Sequence, residues 1–273
     1  MSNIIRQLEE TTAFLRGRYP HAPAIGIILG SGLGNFATHI RSELEIPYEE
    51  IPNFPVSTVE GHRGRLIFGT VAGKKVVAMA GRFHFYEGYS AEQVVFPVRL
   101  MKFLGVETLL VSNAAGGVNP SFAVGDLMVI TDHISFAIVN PLLGKNESQL
   151  GPRFPDMSEP YSKALVSQLK TIAADAGIKL QQGVYFGVTG PTFETRAEYL
   201  LINRLGGDAV GMSTVQEVIT AIHMGMKVAA VSVITDLGIR EEDNVITHEE
   251  VLEAATAAEP RLTTLFTELI GKL

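Results

Sequence analysis

Short apolar runs alternate along this chain with stretches in which apolar and polar residues follow a helical period. Several of the runs are continuous rather than alternating, which is typical of strands that are covered on both faces. We therefore predict buried strands at 24–30, 75–81, 107–114, 127–134, 183–190 and 227–236.

Between the runs, apolar residues recur at i, i+3, i+4 and i+7, the spacing of one helix face. The sets are Val215, Val218, Ile219 and Ile222; Tyr161, Leu165, Leu169 and Ile172; and Val94, Val98 and Met101. Alternating strands and helices predict an α/β fold with helices on both sides of a sheet. The 273 residues suit one large core, so we expect a single domain over 1–273. The Pro- and Gly-rich segment 139–160 predicts a long functional loop.

Charge and composition narrow the possible partners. The chain has 22 basic and 29 acidic residues, a net charge of −7, which argues against a nucleic-acid or membrane surface. It has no cysteine, which excludes disulfides and thiolate chemistry. No stretch approaches the ~20 apolar residues of a membrane span. The N-terminal residues lack the apolar core of a signal peptide, so we expect a cytoplasmic protein.

A glycine-rich loop, GSGLG at 30–34, follows the first predicted strand. The dinucleotide fingerprint needs a glycine where Asn35 stands, and the triphosphate loop needs a lysine that is missing here. The loop therefore suits a smaller anion, held by backbone N–H groups and the Ser31 hydroxyl. A tight turn without a ligand explains the loop equally well.

Arg82 and His84 follow the second predicted strand, and their alternate spacing places both side chains on one face. An arginine fork donates two parallel charge-assisted hydrogen bonds to phosphate, and a histidine adds another donor. His84 alone would be read as a structural histidine. Together with Arg82 and the glycine loop, it favours a site for inorganic phosphate.

Ser213 precedes the predicted helix at 215–222. Ser213 with Gln216, and Thr214 with Glu217, have the spacing of a capping box. The positive end of this helix suits an anion, although Ser213 could simply cap the helix.

Thr195 and Glu198 have the same spacing, which leaves Glu194 outside the helix that they begin. An acid next to Phe193 suits the N–H edge of a planar heterocycle; the alternative is an ordinary surface carboxylate. Asn113 ends a further strand among small residues, where a ligand could approach the backbone closely.

Taken together and in this order, several segments resemble the trimeric type of purine nucleoside phosphorylase. They are ILGSGLG, FPVSTVEGH, GRFHFYEGY, NAAGG, RFPDMS, GPTFET, VGMSTVQEV, ITD and THEEV. The resemblance implies a nucleoside-phosphorylase fold with a mixed central β-sheet flanked by helices. It also implies a homotrimer that converts a purine nucleoside and inorganic phosphate, as co-substrate, into free purine and ribose 1-phosphate. No metal or other cofactor is expected.

The resemblance also implies a role for each matching residue. Phosphate would be bound by Ser31, His62, Arg82, His84, Ser213 and the backbone of Ala114. The ribose would be held by Tyr86, Met212, His248 at its 5′-hydroxyl, and Phe154 of a neighbouring subunit. The base pocket would comprise Phe193, Glu194, Val210, Gly211 and Asp236, and Asn113 is a further candidate for binding substrate. The implied catalytic groups are His84, Glu194 and Asp236.

Asp236 departs from the family pattern, because relatives that prefer 6-oxopurines carry asparagine there. An ionised aspartate only accepts hydrogen bonds and so favours a 6-amino group, whereas ionised Glu194 favours the N1–H of a 6-oxopurine. We expect inosine and guanosine as substrates, with adenosine also plausible. The alternatives are an adenosine- or methylthioadenosine-preferring phosphorylase, a non-catalytic purine- or phosphate-binding module, and a purely structural Asp236.

Overall fold

The computed structural model describes residues 2–56, 64–239 and 246–273. Within these ranges nine strands form one sheet: β1 (Ile25–Ile28), β2 (Arg41–Pro47), β3 (Arg65–Val71), β4 (Lys74–Ala80), β5 (Thr108–Gly117), β6 (Leu127–Ile134), β7 (Leu180–Gly187), β8 (Ala209–Gly211) and β9 (Lys227–Leu237). The α-helices of the same ranges are α1 (Asn3–Arg18), α2 (Ala91–Leu104), α3 (Lys163–Asp175), α4 (Arg196–Arg204), α5 (Val215–His223) and α6 (His248–Lys272).

The strand order is β2-β3-β4-β1-β5-β8-β7-β6-β9, and an additional pairing of β9 with β5 closes the last five strands on themselves. Strand β1 is parallel to β4 and β5, and β5 is parallel to β9. The carboxyl ends of these four strands therefore meet at one edge of the sheet, where α/β proteins commonly bind ligands.

Helices cover both faces of the sheet. Helices α1, α2 and α5 pack together in one layer, and α3 and α6 pack together in another. Consecutive residues of β1 enter different clusters: Ile27 packs in the core beside α6, and Ile28 packs in the core beside α2. Burial on both faces explains why this strand is continuously apolar in sequence.

The six predicted strands and three predicted helices are confirmed, as is a mixed sheet flanked by helices. Strands β2, β3 and β8 were not predicted. Strand β2 pairs with β3 alone and carries exposed charged residues, so it is not an apolar run. Strand β8 has only three residues, which is too short to give a clear apolar run. Helix α3 begins at Lys163, just after Tyr161, and the segment 139–160 contains neither helix nor strand. Among the described residues, no helix is long and apolar enough to cross a membrane.

Candidate active site

A cavity of about 670 Å³, measured out to its open mouth, lies at the carboxyl ends of the four parallel strands. Small-molecule sites commonly have this size. It gathers most of the predicted site residues from distant parts of the chain. Those predicted for phosphate are Ser31, Arg82, His84, Ala114 and Ser213; those for ribose are Tyr86, Met212 and His248; those for the base are Phe193, Glu194, Val210, Gly211 and Asp236. We call the first set the phosphate end and the last set the base end.

Two predicted residues of the described part of the chain, Asn113 and Phe154, are not among those that line the cavity. Asn113 is buried behind the wall, where its amide donates a hydrogen bond of 2.8 Å to the Thr214 hydroxyl. Phe154 is 87% exposed in the single chain and lies against the guanidinium of Arg153. His62 lies outside the described residues.

The sequence analysis missed five residues of the cavity wall: Ala115, Gly116, Tyr199, Thr235 and Val251. Gly116 is the register partner of Asp236 on the neighbouring strand. Tyr199 had a usable signal. It stands four residues after Thr195, and helix side chains tilt towards the N-terminus of their helix, which places Tyr199 over the segment that carries Glu194.

The glycine loop lies directly on β5. A Cβ atom at Gly30 would come within 2.7 Å of the Asn113 Cα, so a larger residue would push the loop off the strand. The Gly30 N–H donates to the Ser112 hydroxyl at 3.2 Å. This close approach brings Ser31 to the cavity beside the strand end that carries Ala114.

Arg82 is held by a buried ion pair. Its Nε and Nη2 atoms each donate to Glu217 at 2.9 Å, and its Nη1 donates to the Ser112 carbonyl at 3.0 Å and to the Ser213 hydroxyl at 3.2 Å. Both charged side chains are almost fully buried. We predicted that the guanidinium edge that donates two parallel hydrogen bonds would bind phosphate. In the structure, this Nε/Nη2 edge binds Glu217 instead. Four of the five guanidinium hydrogens are therefore engaged, and Arg82 has one remaining Nη2 hydrogen for a ligand.

The two capping boxes predicted before α5 are wrong. Thr214 stands at the N-cap, but its hydroxyl accepts from Asn113, and the Glu217 carboxylate pairs with Arg82. Instead, Thr214 has φ +70° and the Val215 N–H donates to the Ser213 carbonyl at 2.7 Å. This is a classic γ-turn, a rare and strained conformation that is found mainly at functional sites. It positions Ser213 at the cavity wall. The predicted box of Thr195 and Glu198 is confirmed.

His84 is oriented by a neighbouring acid. Its Nδ1 lies 2.9 Å from Glu87 Oε1, which also accepts from the His84 backbone N–H at 2.8 Å. The ring stacks on Tyr86 with centroids 4.7 Å apart. With Nδ1 engaged by a carboxylate, Nε2 is the ring nitrogen available to a ligand in the cavity.

The base end holds the two acids Glu194 and Asp236, and the phenol of Tyr199 lies beside them in the cavity wall. Asp236 is buried and its Oδ1 accepts from the Thr235 hydroxyl at 3.0 Å. Burial raises the pKa of the Glu194 carboxyl, and repulsion from Asp236 adds to this effect. Glu194 therefore keeps its proton to a higher pH than an exposed glutamate.

Known proteins are similar to this chain in fold and in sequence. A family model described as Phosphorylase superfamily matches residues 24–271. The purine nucleoside phosphorylase 1 of Geobacillus stearothermophilus is 56% identical over 90% of each chain, and the purine nucleoside phosphorylase of Rattus norvegicus is 48% identical over 93% of this chain and 90% of the relative. The structure of Schistosoma mansoni purine nucleoside phosphorylase in complex with adenosine superimposes with a TM-score of 0.94 at 42% identity, covering 98% of both chains. The chain belongs to the phosphorylase superfamily and, within it, to the purine nucleoside phosphorylases.

Proposed function

We propose that this chain catalyses the phosphorolysis of purine nucleosides to free base and ribose 1-phosphate. One observation carries the proposal: a single cavity has hydroxyl and cationic groups at its phosphate end and two carboxyl groups at its base end. Related proteins named purine nucleoside phosphorylase support it, as do similar solved structures with inosine and with adenosine. Inorganic phosphate is the co-substrate, and no other cofactor is proposed.

At the phosphate end, the anion accepts hydrogen bonds from the hydroxyls of Ser31 and Ser213, the backbone N–H of Ala114 and the one remaining Nη2 hydrogen of Arg82. His84 contributes through Nε2. His62 would complete this set from the segment outside the described residues. Arg82 is pre-oriented by Glu217, so phosphate binding needs no rearrangement of the buried guanidinium.

The reaction is a displacement at the anomeric carbon. The bond from C1′ to N9 stretches, and positive charge develops on the sugar while the purine takes the bonding electron pair. Phosphate on the opposite face stabilises that charge, and one of its oxygens then forms the new bond to C1′. The departing purine gains a proton from water or a pocket acid, and hydrogen bonds at N7 and the six-position stabilise its charge. Catalysis thus comes from placement and electrostatics.

The substrates that we propose are inosine, guanosine and adenosine. Ionised Glu194 accepts from the N1–H of a 6-oxopurine, and ionised Asp236 accepts from a 6-amino group. Asp236 therefore supports an adenosine-preferring enzyme as the second candidate. His248 at the cavity wall suits a 5′-hydroxyl better than a methylthio group, which makes methylthioadenosine the weaker choice.

The defining experiment follows inosine with and without inorganic phosphate. We expect hypoxanthine and ribose 1-phosphate in equal amounts when phosphate is present, and no release of base when it is absent. Release without phosphate would indicate hydrolysis, and binding without any release would indicate a non-catalytic module. A role in purine salvage in the cytoplasm stays a prediction.

We also propose a homotrimer in which Phe154 completes the ribose site of the next subunit. Four large apolar side chains of the segment between β6 and α3 are exposed in the single chain: Phe136, Val139, Leu143 and Phe154. Phe154→Ala should raise the KM for inosine several-fold and leave the KM for phosphate nearly unchanged, because its partner site is the ribose.

Co-expression tests the sharing of sites. A trimer that mixes Phe154→Ala and Arg82→Ala chains contains some sites in which both residues are native. We expect mixed trimers to be more active at low inosine than either variant alone. A monomeric mass by light scattering, or no gain on mixing, would contradict the shared site.

A further inference from the structure

Tyr199 is a buried residue of the base end to which the sequence analysis assigned no role. Its ring packs against Ile202 and Val210 in a small apolar cluster and is 4% exposed. On another side it touches Gly238, where an added Cβ atom would lie 2.3 Å from the ring. The ring is therefore fixed at the cavity wall.

The Tyr199 hydroxyl is buried and makes no hydrogen bond of ordinary geometry to any described residue. It nevertheless lies close enough to the Glu194 carboxylate to interact with it as a donor, and close enough to Asp236 for that charge to act on it. Burial, followed by repulsion from these carboxylates, raises the pKa of Tyr199, so the hydroxyl keeps its proton and remains a donor. A buried donor of this kind needs a partner.

The base end is short of donors for a 6-oxopurine. Such a base presents N1–H, which an ionised Glu194 accepts, and the O6 oxygen, which needs a donor. Asp236 cannot supply one when ionised. The Thr235 hydroxyl lies against Asp236 Oδ1 at 3.0 Å and the Ala115 carbonyl at 3.3 Å. Among the side-chain hydroxyls described at this end, that of Tyr199 makes no hydrogen bond of ordinary geometry and has the Glu194 carboxylate as its close neighbour, so a bound base can compete for it.

We infer that Tyr199 is a specificity-determining residue whose hydroxyl donates a hydrogen bond to O6 of a bound 6-oxopurine. The inference rests on the proposed function and deepens it. It explains how a pocket with aspartate at position 236 accepts inosine and guanosine, because the phenol replaces the missing amide donor. A 6-aminopurine donates to Asp236 instead, so it does not depend on the Tyr199 proton.

Tyr199→Phe tests the inference because it removes the hydroxyl and keeps the ring. We expect kcat/KM for inosine to fall about tenfold, since a buried O6 loses its donor, and kcat/KM for adenosine to change by less than about twofold. The matched control is Tyr19→Phe. Tyr19 is also a buried tyrosine, but it lies outside the cavity and donates to Glu43 at 2.9 Å, so both activities should be unchanged.

Other outcomes overturn the inference. Equal losses with both nucleosides would assign Tyr199 to packing, and no loss with either would show that the hydroxyl does not contact the base. If raising the pH restores the inosine activity of Tyr199→Phe, the hydroxyl acts by keeping Glu194 ionised rather than on O6. Calorimetric Kd values for hypoxanthine and adenine provide a second readout, with weakening expected for hypoxanthine alone.

The experiments distinguish a failure of the proposed activity from a failure of the inference about Tyr199. A native chain that releases no base from either nucleoside in the presence of phosphate overturns the proposed activity, and the inference with it. A native chain that is active, with an unchanged ratio of inosine to adenosine in the variant, overturns the inference alone.

Discussion

The two ends of the cavity are built in different ways. At the phosphate end, the polar side chains already have partners: Arg82 pairs with Glu217, and His84 with Glu87. At the base end, Glu194 and Asp236 repel each other, and the neighbouring Tyr199 hydroxyl lacks an ordinary partner among described residues. Under the proposed function, phosphate is the same in every turnover while the base varies. A fixed network suits the first ligand, and groups that the ligand itself must satisfy suit the second.

The largest effect should come from breaking the network of the phosphate end. Glu217→Ala leaves the buried Arg82 charge without its partner, so the free energy of unfolding should fall by about 3–5 kcal/mol. Phosphorolysis should fall at least about 100-fold, because the donors are no longer pre-oriented. The double variant Arg82→Ala with Glu217→Ala should regain much of the stability and none of the activity. Denaturant unfolding and inosine phosphorolysis measure the two quantities.

Lys75→Ala is the control for charge removal. It breaks a surface pair with Glu43 and should change stability far less, because exposed ion pairs contribute little. If Glu217→Ala is as stable as the native chain, or if the double variant keeps its activity, the network does not position Arg82 for phosphate.

An intermediate effect is expected at the base end. Asp236→Asn restores an amide that can donate to O6, and it removes an acceptor for a 6-amino group. The ratio of inosine to adenosine kcat/KM should rise about tenfold, roughly the value of one hydrogen bond gained or lost. The phosphate KM should not change, since Asp236 lies at the other end. An unaltered ratio would mean that Asp236 does not read the base.

The smallest expected effect is the change with pH in the ratio of inosine to adenosine kcat/KM. The pKa of Glu194 is raised by burial and by Asp236, so its carboxyl becomes neutral at a higher pH than an exposed one. Below that pKa, Glu194 no longer accepts from N1–H of inosine but donates to N1 of adenosine. The ratio of inosine to adenosine kcat/KM should therefore rise with pH through the pKa of Glu194. Glu194→Gln should flatten this dependence; a native ratio that is constant with pH would contradict the assignment.

The sequence was most informative where local pattern and final environment agree. Continuous apolar runs marked the strands that are buried on both faces, and the positions after them marked Ser31 and Arg82 at one sheet edge. The predictions failed where a distant partner decides the geometry. The capping spacing of Glu217 is local, but its carboxylate pairs with Arg82, 135 residues away in sequence.

Tyr199 illustrates a second limit. Its spacing from Thr195 indicates the segment that it covers, but the close contact of its ring with Gly238 cannot be seen in the sequence. The γ-turn at Thr214 is similar, because its strain is sustained by contacts from β5 that local propensity does not contain. Both features belong to tertiary packing rather than to local preference.

The central claim is that one cavity holds a free phosphate at one end and a purine at the other. A crystal structure of the chain with sulfate and hypoxanthine tests it most directly. We predict sulfate against Ser31, Arg82, His84 and Ser213, with Arg82 still paired to Glu217, and hypoxanthine between Glu194, Tyr199 and Asp236. Sulfate and hypoxanthine bound elsewhere, with this cavity left empty, would contradict the account.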